Sequence, residues 1–139
     1  MKRYEINNSD IQVFEDQKLG EGGFGAVYKG RWSGREVAIK VLVCKLTGEV
    51  EENFRQELAV MLDLRGPQIV HTYGGVLTGG PTQAIVMELM PRGSLYELLR
   101  KERTLAWPVK YRIALDVAYG IKYLHGLKIL HRDLKSLVL

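Results

Sequence analysis

The fold is decided by Leu19-Gly20-Glu21-Gly22-Gly23-Phe24-Gly25-Ala26-Val27, which is followed by a β-rich run ending in Val37-Ala38-Ile39-Lys40-Val41. Three glycines in the first run let the backbone turn tightly and approach a polyphosphate without a Cβ in the way. Lys40 can bring a positive charge to the same phosphates. In a dinucleotide-binding fold the last glycine opens a helix, whereas here β-branched and aromatic residues continue to a turn at Ser33-Gly34. The stretch therefore predicts a glycine loop in a β-hairpin that covers a nucleotide.

Length and composition are typical of one soluble globular domain. The chain has 139 residues, of which 46% are hydrophobic and 26% charged, unlike a disordered protein. Its net charge of +4 comes from basic residues scattered among acids, so we expect no nucleic-acid partner. Cys44 is the single cysteine, which excludes an internal disulfide. Without a signal peptide or a membrane-length apolar run, the chain is expected to be cytoplasmic and to have no membrane partner.

Hydrophobic periodicity and turn residues predict five strands and three helices. Strands are expected at about 11–19, 26–32, 37–43, 69–77 and 84–89. Helices are expected from 49 or 50 to about 64, over a short segment capped by Ser94, and from about 108 to 125. A further short strand is predicted at 127–130.

The first helix carries an apolar stripe, formed by Val50, Phe54, Leu58 and Met61. Glu57 lies at the edge of this stripe, so we expect its carboxylate to face inward more than those of Glu51 and Glu52. The helix at 108–125 is apolar around most of its circumference, which predicts burial on several sides.

Taken in order, these motifs resemble a eukaryotic-type protein kinase domain over nearly the whole chain. The matching residues are Gly20-x-Gly22-x-x-Gly25-x-Val27, Val37-Ala38-Ile39-Lys40, Glu57 and His131-Arg132-Asp133-Leu134-Lys135. Residues 31–40 and 112–125 are most similar to the tyrosine-kinase-like (TKL) group. Despite the name of that group, Asp133-Leu134-Lys135 is the form found in serine/threonine-specific kinases.

The resemblance implies an α+β fold. Residues 11–90 would form the N-lobe and hinge, with a five-stranded antiparallel sheet and one helix. Residues 91–139 would begin an incomplete C-lobe that ends in the catalytic loop, and residues 1–10 would be an N-terminal extension. In the family, the partners of the 108–125 helix come from residues absent here. We therefore expect apolar side chains of this helix to be left in water, and the isolated chain to be poorly soluble or to bind chaperones.

The resemblance also assigns site residues for ATP and for a protein substrate. Lys40 would hold the α- and β-phosphates, steadied by an ion pair with Glu57, and Asp133 would accept the proton of the substrate hydroxyl. Glu57 could alternatively be a surface glutamate of an acid-rich helix, but the Lys40 context favours the pair. The other residues assigned to ATP binding form three groups. The loop over the phosphates comprises Leu19, Gly20, Glu21, Gly22, Gly23, Phe24, Gly25 and Ala26. Val27 and Ala38 would contact the adenine, and Glu88 and Met90 belong to the hinge, with Met87 just before it.

The metal site is where the sequence departs from the family. The family's Asn that helps to hold Mg²⁺ falls five residues after the catalytic Asp, and Val138 stands there. The Asp-Phe-Gly segment with the other ligand would follow Leu139. The resemblance thus implies ATP and Mg²⁺ as cofactors but supplies no metal ligand here. We expect an ATP-dependent kinase, inactive as a chain truncated after the catalytic loop, or alternatively a non-catalytic ATP-binding or pseudokinase-like interaction fragment.

Overall fold

A computed structural model describes residues 4–22, 25–42, 48–77, 83–102 and 104–136. Its elements agree with most of the sequence pattern. They are a 3-10 turn at Asn8–Asp10, strands β1 (Ile11–Gly22), β2 (Gly25–Trp32), β3 (Arg35–Leu42), β4 (Thr72–Val76) and β5 (Ala84–Glu88), and helices α1 (Gly48–Asp63), α2 (Leu95–Lys101) and α3 (Trp107–Gly126).

The five strands form one antiparallel sheet in the order β1-β2-β3-β5-β4, and this confirms the predicted α+β fold. The β2–β3 turn falls where the sequence places it. Ser33 and Gly34 have φ angles of 48° and 77°. Both values lie in the left-handed region that a two-residue hairpin turn requires when the flanking strands twist to the right.

Two hydrophobic clusters lie on opposite faces of this sheet, because successive strand residues point to opposite sides. Ala84 and Val86 of β5 belong to the first cluster, whereas Ile85 between them belongs to the second. The first cluster is completed by Ile6, Val37, Ile39 and Val76. In the second, Leu58 of α1 packs with Leu77 and Ile85, with Phe54 and Met61 at its margin.

The orientation of α1 corrects one prediction. Glu57 is exposed, whereas Glu51 is half-buried, so the expectation that Glu57 faces inward more than Glu51 is wrong. Leu58 is fully buried and therefore sets the inward direction of the helix. Glu51 precedes Leu58 by seven residues, or two turns, and lies on the same face, whereas Glu57 is about 100° away. Val50 of the predicted apolar stripe is also exposed, at 56%.

The chain divides into two compact units, Met1–Arg65 with Val70–Leu89, and Gly66–Ile69 with Met90–Leu139. In the second unit, α2 begins with a capping box, in which the Ser94 hydroxyl accepts from the Glu97 amide and the Glu97 carboxylate accepts from the Ser94 amide. This arrangement satisfies two backbone donors that have no partner within a helix, and it confirms Ser94 as the cap.

Helix α3 is less buried than its sequence predicts. Gly120 and Leu124 are its buried residues among those described, so the prediction of burial on several sides is wrong here. Tyr111, Leu115 and Tyr119 are each at least half exposed, which confirms that large apolar side chains are left in water.

The strand predicted at 127–130 is also wrong. The chain turns there, with Lys128 at a φ of 61°. The amides of Leu127, Lys128 and Ile129 donate to carbonyls of the last turn of α3 instead of to a sheet.

Candidate nucleotide-binding site

Strand register brings four predicted site residues to one face of the sheet. Val27 of β2 lies directly opposite Lys40 of β3, and Ala38 lies opposite Met87 of β5. Residues that pair across strands, and those two apart along a strand, share a face. Val27, Ala38, Lys40 and Met87 therefore form one patch, which we call the β3 face. Its apolar members can pack against an aromatic ring, and Lys40 can neutralise an anion beside it.

The β1–β2 hairpin provides the glycine-rich margin of this patch. Its register pairs Gly20 with Val27, Glu21 with Ala26, and Gly22 with Gly25. Leu19, Gly20, Glu21 and Gly22 are exposed, and a Cβ built at Gly20 or Gly22 would meet no atom of the described residues within 4 Å. The space beside these two glycines is open, so a phosphate chain can approach the backbone there. Gly23 and Phe24 lie outside the described residues.

Gly25 is a glycine for a different reason. Its φ is 149°, and a Cβ there would lie 2.0 Å from the Val41 carbonyl oxygen. No side chain fits so close to a backbone atom, so this glycine lets β2 pair tightly with β3. Gly20 and Gly22 thus leave room for a ligand, whereas Gly25 shapes the strand that carries Val27.

Two ion pairs occur among the described charged residues of β1, β2 and β3. Lys18 and Glu21 of β1 form an ion pair, and the pKa of Lys18 is raised, chiefly by its hydrogen bond to Glu21. Lys29 of β2 pairs with Glu36 of β3 at 2.5 Å. Lys29 lies opposite Ala38 and so on the β3 face itself. Sequence reasoning missed this second lysine, although its two-residue spacing from Val27 was a usable signal.

Lys40 and Glu57 are not joined by any ion pair between described residues. Lys40 is half-buried, and Ile85 lies opposite it on β5. Ile85 in turn packs with Leu58 of α1. Helix α1 therefore lies next to the Lys40 region through apolar contacts, while Glu57, one residue before Leu58, is exposed. The predicted ion pair stays a prediction.

Of the residues predicted for the hinge, Glu88 ends β5 and Met90 follows it. The Glu88 amide donates to the His71 carbonyl at 2.8 Å, and its carboxylate accepts from the His71 amide at 3.2 Å. In the second unit, Met90 is half exposed and its carbonyl accepts from the Gly93 amide at 3.2 Å.

Asp133 lies in the second unit with an accessible carboxylate. Its side chain is 68% exposed and forms a 3.0 Å ion pair with Lys135. The Asp133 amide contacts the Nδ1 atom of His131 at 3.3 Å, and Arg132 between them has a φ of 63°. A carboxylate held in this way can accept a proton from an incoming hydroxyl group.

No helix in the described ranges is long and apolar enough to cross a membrane.

Val138, which stands at the position of the family's Mg²⁺ ligand, lies outside these ranges. The described residues contain no group of three or more His, Cys, Asp or Glu side chains that could hold a metal ion.

Comparison with known proteins agrees with this geometry. The family model described as protein tyrosine and serine/threonine kinase matches residues 13–137. The chain belongs to this protein kinase family. It is 46% identical over 136 residues to "Probable serine/threonine-protein kinase SIS8" of Arabidopsis thaliana, and 41% identical over 135 residues to "Stress-activated protein kinase alpha" of Dictyostelium discoideum. Each match covers 95% of this chain but only 13% and 20%, respectively, of the relative.

With the family known, the architecture can be named. The five-stranded sheet and α1 correspond to a kinase N-lobe, and α2 and α3 correspond to the first helices of a C-lobe. Kinases of this family use ATP and Mg²⁺ in general. The open space beside Gly20 and Gly22 can receive the phosphates of ATP. The positively charged side chain of Lys40 on the β3 face can bind them.

Proposed function

We propose that this kinase chain binds ATP on the β3 face and belongs to a serine/threonine kinase of the tyrosine-kinase-like group that phosphorylates proteins. The observation that carries the proposal is the register of β2, β3 and β5, which aligns two small apolar side chains with Lys40. Val27 and Ala38 contact the adenine, and the backbone at Gly20 and Gly22 approaches the phosphates. The relatives named as serine/threonine kinases support the substrate class.

Each remaining residue has one task in this proposal. Lys40 binds the α- and β-phosphates, Glu57 turns inward to pair with it, and Glu88 and Met90 bind the adenine edge through their backbones. Asp133 accepts the proton of the substrate hydroxyl group. Mg²⁺, when bound with ATP, neutralises charge on the phosphates. We place this chemistry in the cytoplasm, with ATP and a protein substrate as partners. Chaperones would bind the exposed apolar side chains of α3.

A second candidate is a non-catalytic, pseudokinase-like module that binds ATP without transferring phosphate. Val138 favours it, because valine stands where the family has an oxygen ligand for Mg²⁺. Both candidates use the β3 face for ATP and differ in whether Asp133 acts on a substrate.

The deciding experiment measures ATP binding by calorimetry, with and without Mg²⁺, beside phosphate transfer to a generic protein substrate. Replacing Lys40 by Met should raise the dissociation constant of ATP at least about tenfold, because a charge-assisted hydrogen bond is lost. Lys29→Met is the matched control, since Lys29 shares the β3 face, has its ion pair with Glu36 and is not proposed to bind a phosphate.

Phosphate transfer that disappears in Asp133→Ala would establish catalysis and rule out the second candidate. ATP binding without transfer in the wild-type chain would favour the second candidate. If the wild-type chain does not bind ATP at all, both are wrong.

A further inference from the structure

The segment before β1 pairs with the opposite edge of the sheet. Glu5 forms a parallel β-bridge with Gly75 of the edge strand β4. The Ile6 amide donates to the Gly75 carbonyl, and the Gly75 amide donates to the Tyr4 carbonyl, each at 2.9 Å. Residues 4–6 therefore occupy backbone groups that an edge strand otherwise leaves open.

The side chains of this segment reach both hydrophobic clusters. Ile6 is only 7% exposed and belongs to the first cluster, with Val37 and Ile39 of β3. Tyr4 packs against the second cluster, whose centre is Leu58 of α1. The segment thus crosses the β4 edge and contacts what lies on either side of the sheet.

Two adjacent glycines in β4 make room for this arrangement. A Cβ at Gly74 would lie 2.7 Å from the Tyr4 carbonyl oxygen and 2.9 Å from Ile6 Cδ1, and a Cβ at Gly75 would lie 2.6 Å from Leu58 Cδ2. Glycine in a strand interior weakens the strand unless a close approach requires it. Gly74 serves the N-terminal segment, and Gly75 serves α1.

The charge of Arg55 on α1 also responds to this segment. Arg55 donates from Nε and Nη2 to Glu51 Oε1 at 2.9 and 2.7 Å. The pKa of Arg55 is raised, first by these bonds and further by the Tyr4 hydroxyl and the Glu5 charge. Tyr4 and Glu5 of the segment that pairs with β4 therefore lie close enough to α1 to act on the charge of Arg55.

We infer that Tyr4–Ile6 is a strap that anchors α1 to the β4 edge and fixes the position of that helix. Because α1 carries Glu57, the strap also limits how readily Glu57 turns toward Lys40; this consequence rests on the proposed function, whereas the anchoring does not. Tyr4 is a positioning residue in this scheme.

Hydrogen exchange of the nucleotide-free chain, followed by mass spectrometry, tests the strap without any assumption about activity. In Tyr4→Ala, exchange should rise at least about tenfold over residues 4–6 and 51–62, because local opening there becomes easier. Residues 84–88 should not change. Tyr4→Phe keeps the ring that packs on the Leu58 cluster and should restore most of the protection of α1.

A second variant acts from the other side of the contact. Gly74→Ala should expel the strap through its clash with the Tyr4 carbonyl and Ile6, and should raise exchange over the same residues. The matched controls are Gly126→Ala, where a Cβ meets no described atom within 4 Å, and Tyr111→Ala, a residue that is 69% exposed. Both should leave exchange over 4–6 and 51–62 as in the wild type.

Unchanged exchange of α1 in both Tyr4→Ala and Gly74→Ala would overturn the strap. So would an Ile6 amide that exchanges in the wild type as fast as in an unfolded peptide. If both variants show faster exchange of α1 but the wild-type chain fails to bind ATP, the proposed function is contradicted and the strap is established.

Discussion

The contact between Leu58 and Gly75 allows a sharp test of how α1 is attached to the sheet. Leu58 is fully buried, so Leu58→Ala should lower the free energy of unfolding by about 2–5 kcal/mol through lost burial and a residual cavity. Gly75→Ala alone should cost about 1–3 kcal/mol, since its Cβ would meet Leu58 Cδ2 at 2.6 Å. In the double variant the new methyl group enters the space that Leu58 leaves.

The cost of Gly75→Ala should therefore disappear when Leu58 is already alanine. The other neighbours of that Cβ are at 3.4 Å, an ordinary contact distance, so no second clash replaces the first. We expect a favourable coupling free energy of about 1–3 kcal/mol between the two changes. Gly126→Ala serves as the control, because it lies in the other unit and should add to Leu58→Ala without coupling.

Urea unfolding followed by the fluorescence of Trp32 measures these energies. Trp32 packs beside Tyr73 with ring centroids 5.3 Å apart, so its emission reports on the sheet. Trp107 is 66% exposed and can be replaced by Phe to remove its signal. Additivity of Leu58→Ala and Gly75→Ala to within about 0.5 kcal/mol would refute the proposed packing of α1 on β4.

Three further predictions concern single contacts. Gly20→Ala should leave the melting temperature unchanged but lower the affinity for ATP, because its Cβ enters the open space in which we propose that the phosphates bind. Unchanged ATP affinity would contradict the glycine-loop assignment. Ser94→Ala should destabilise α2 by about 1 kcal/mol and speed exchange of the Glu97 amide; equal exchange would show that the cap contributes nothing. The Lys18 pKa is raised above 10.5 in the folded state, so the pair stabilises the fold below that value and the effect is lost as pH rises through the folded pKa. Lys18→Met should accordingly lower the melting temperature slightly at neutral pH. At a pH above the folded-state pKa of Lys18, the variant and the wild type should melt at the same temperature. A difference in melting temperature that does not change with pH would exclude the ion pair as its cause.

The sheet and the start of α2 were predictable because their signals are local. The turn at Ser33 and Gly34, the strand-forming residues on either side of it and the Ser94 cap each act within a few residues of sequence. The candidate site follows from the same patterns, since strand alternation alone puts Ala38 and Lys40 on one face.

Other features depend on contacts that sequence patterns do not reveal. The outward position of Glu57 follows from the direction in which Leu58 is buried, and that direction is set by packing on β4 and β5. The pairing of Glu5 with Gly75 joins residues 70 positions apart. In the sequence it is indicated only indirectly, by two adjacent glycines within a strand. The 127–130 segment has an apolar sequence but finds its hydrogen-bond acceptors in the end of α3.

Methyl NMR during an ATP titration tests the central claim most directly. If ATP binds on the β3 face, the methyl resonances of Val27, Ala38 and Met87 should shift together and yield one dissociation constant. Those of Val37 and Ile39, which are fully buried on the opposite face, should shift far less. Saturable shifts confined to Val37 and Ile39, or no saturable shift at Val27, Ala38 and Met87, would contradict the account.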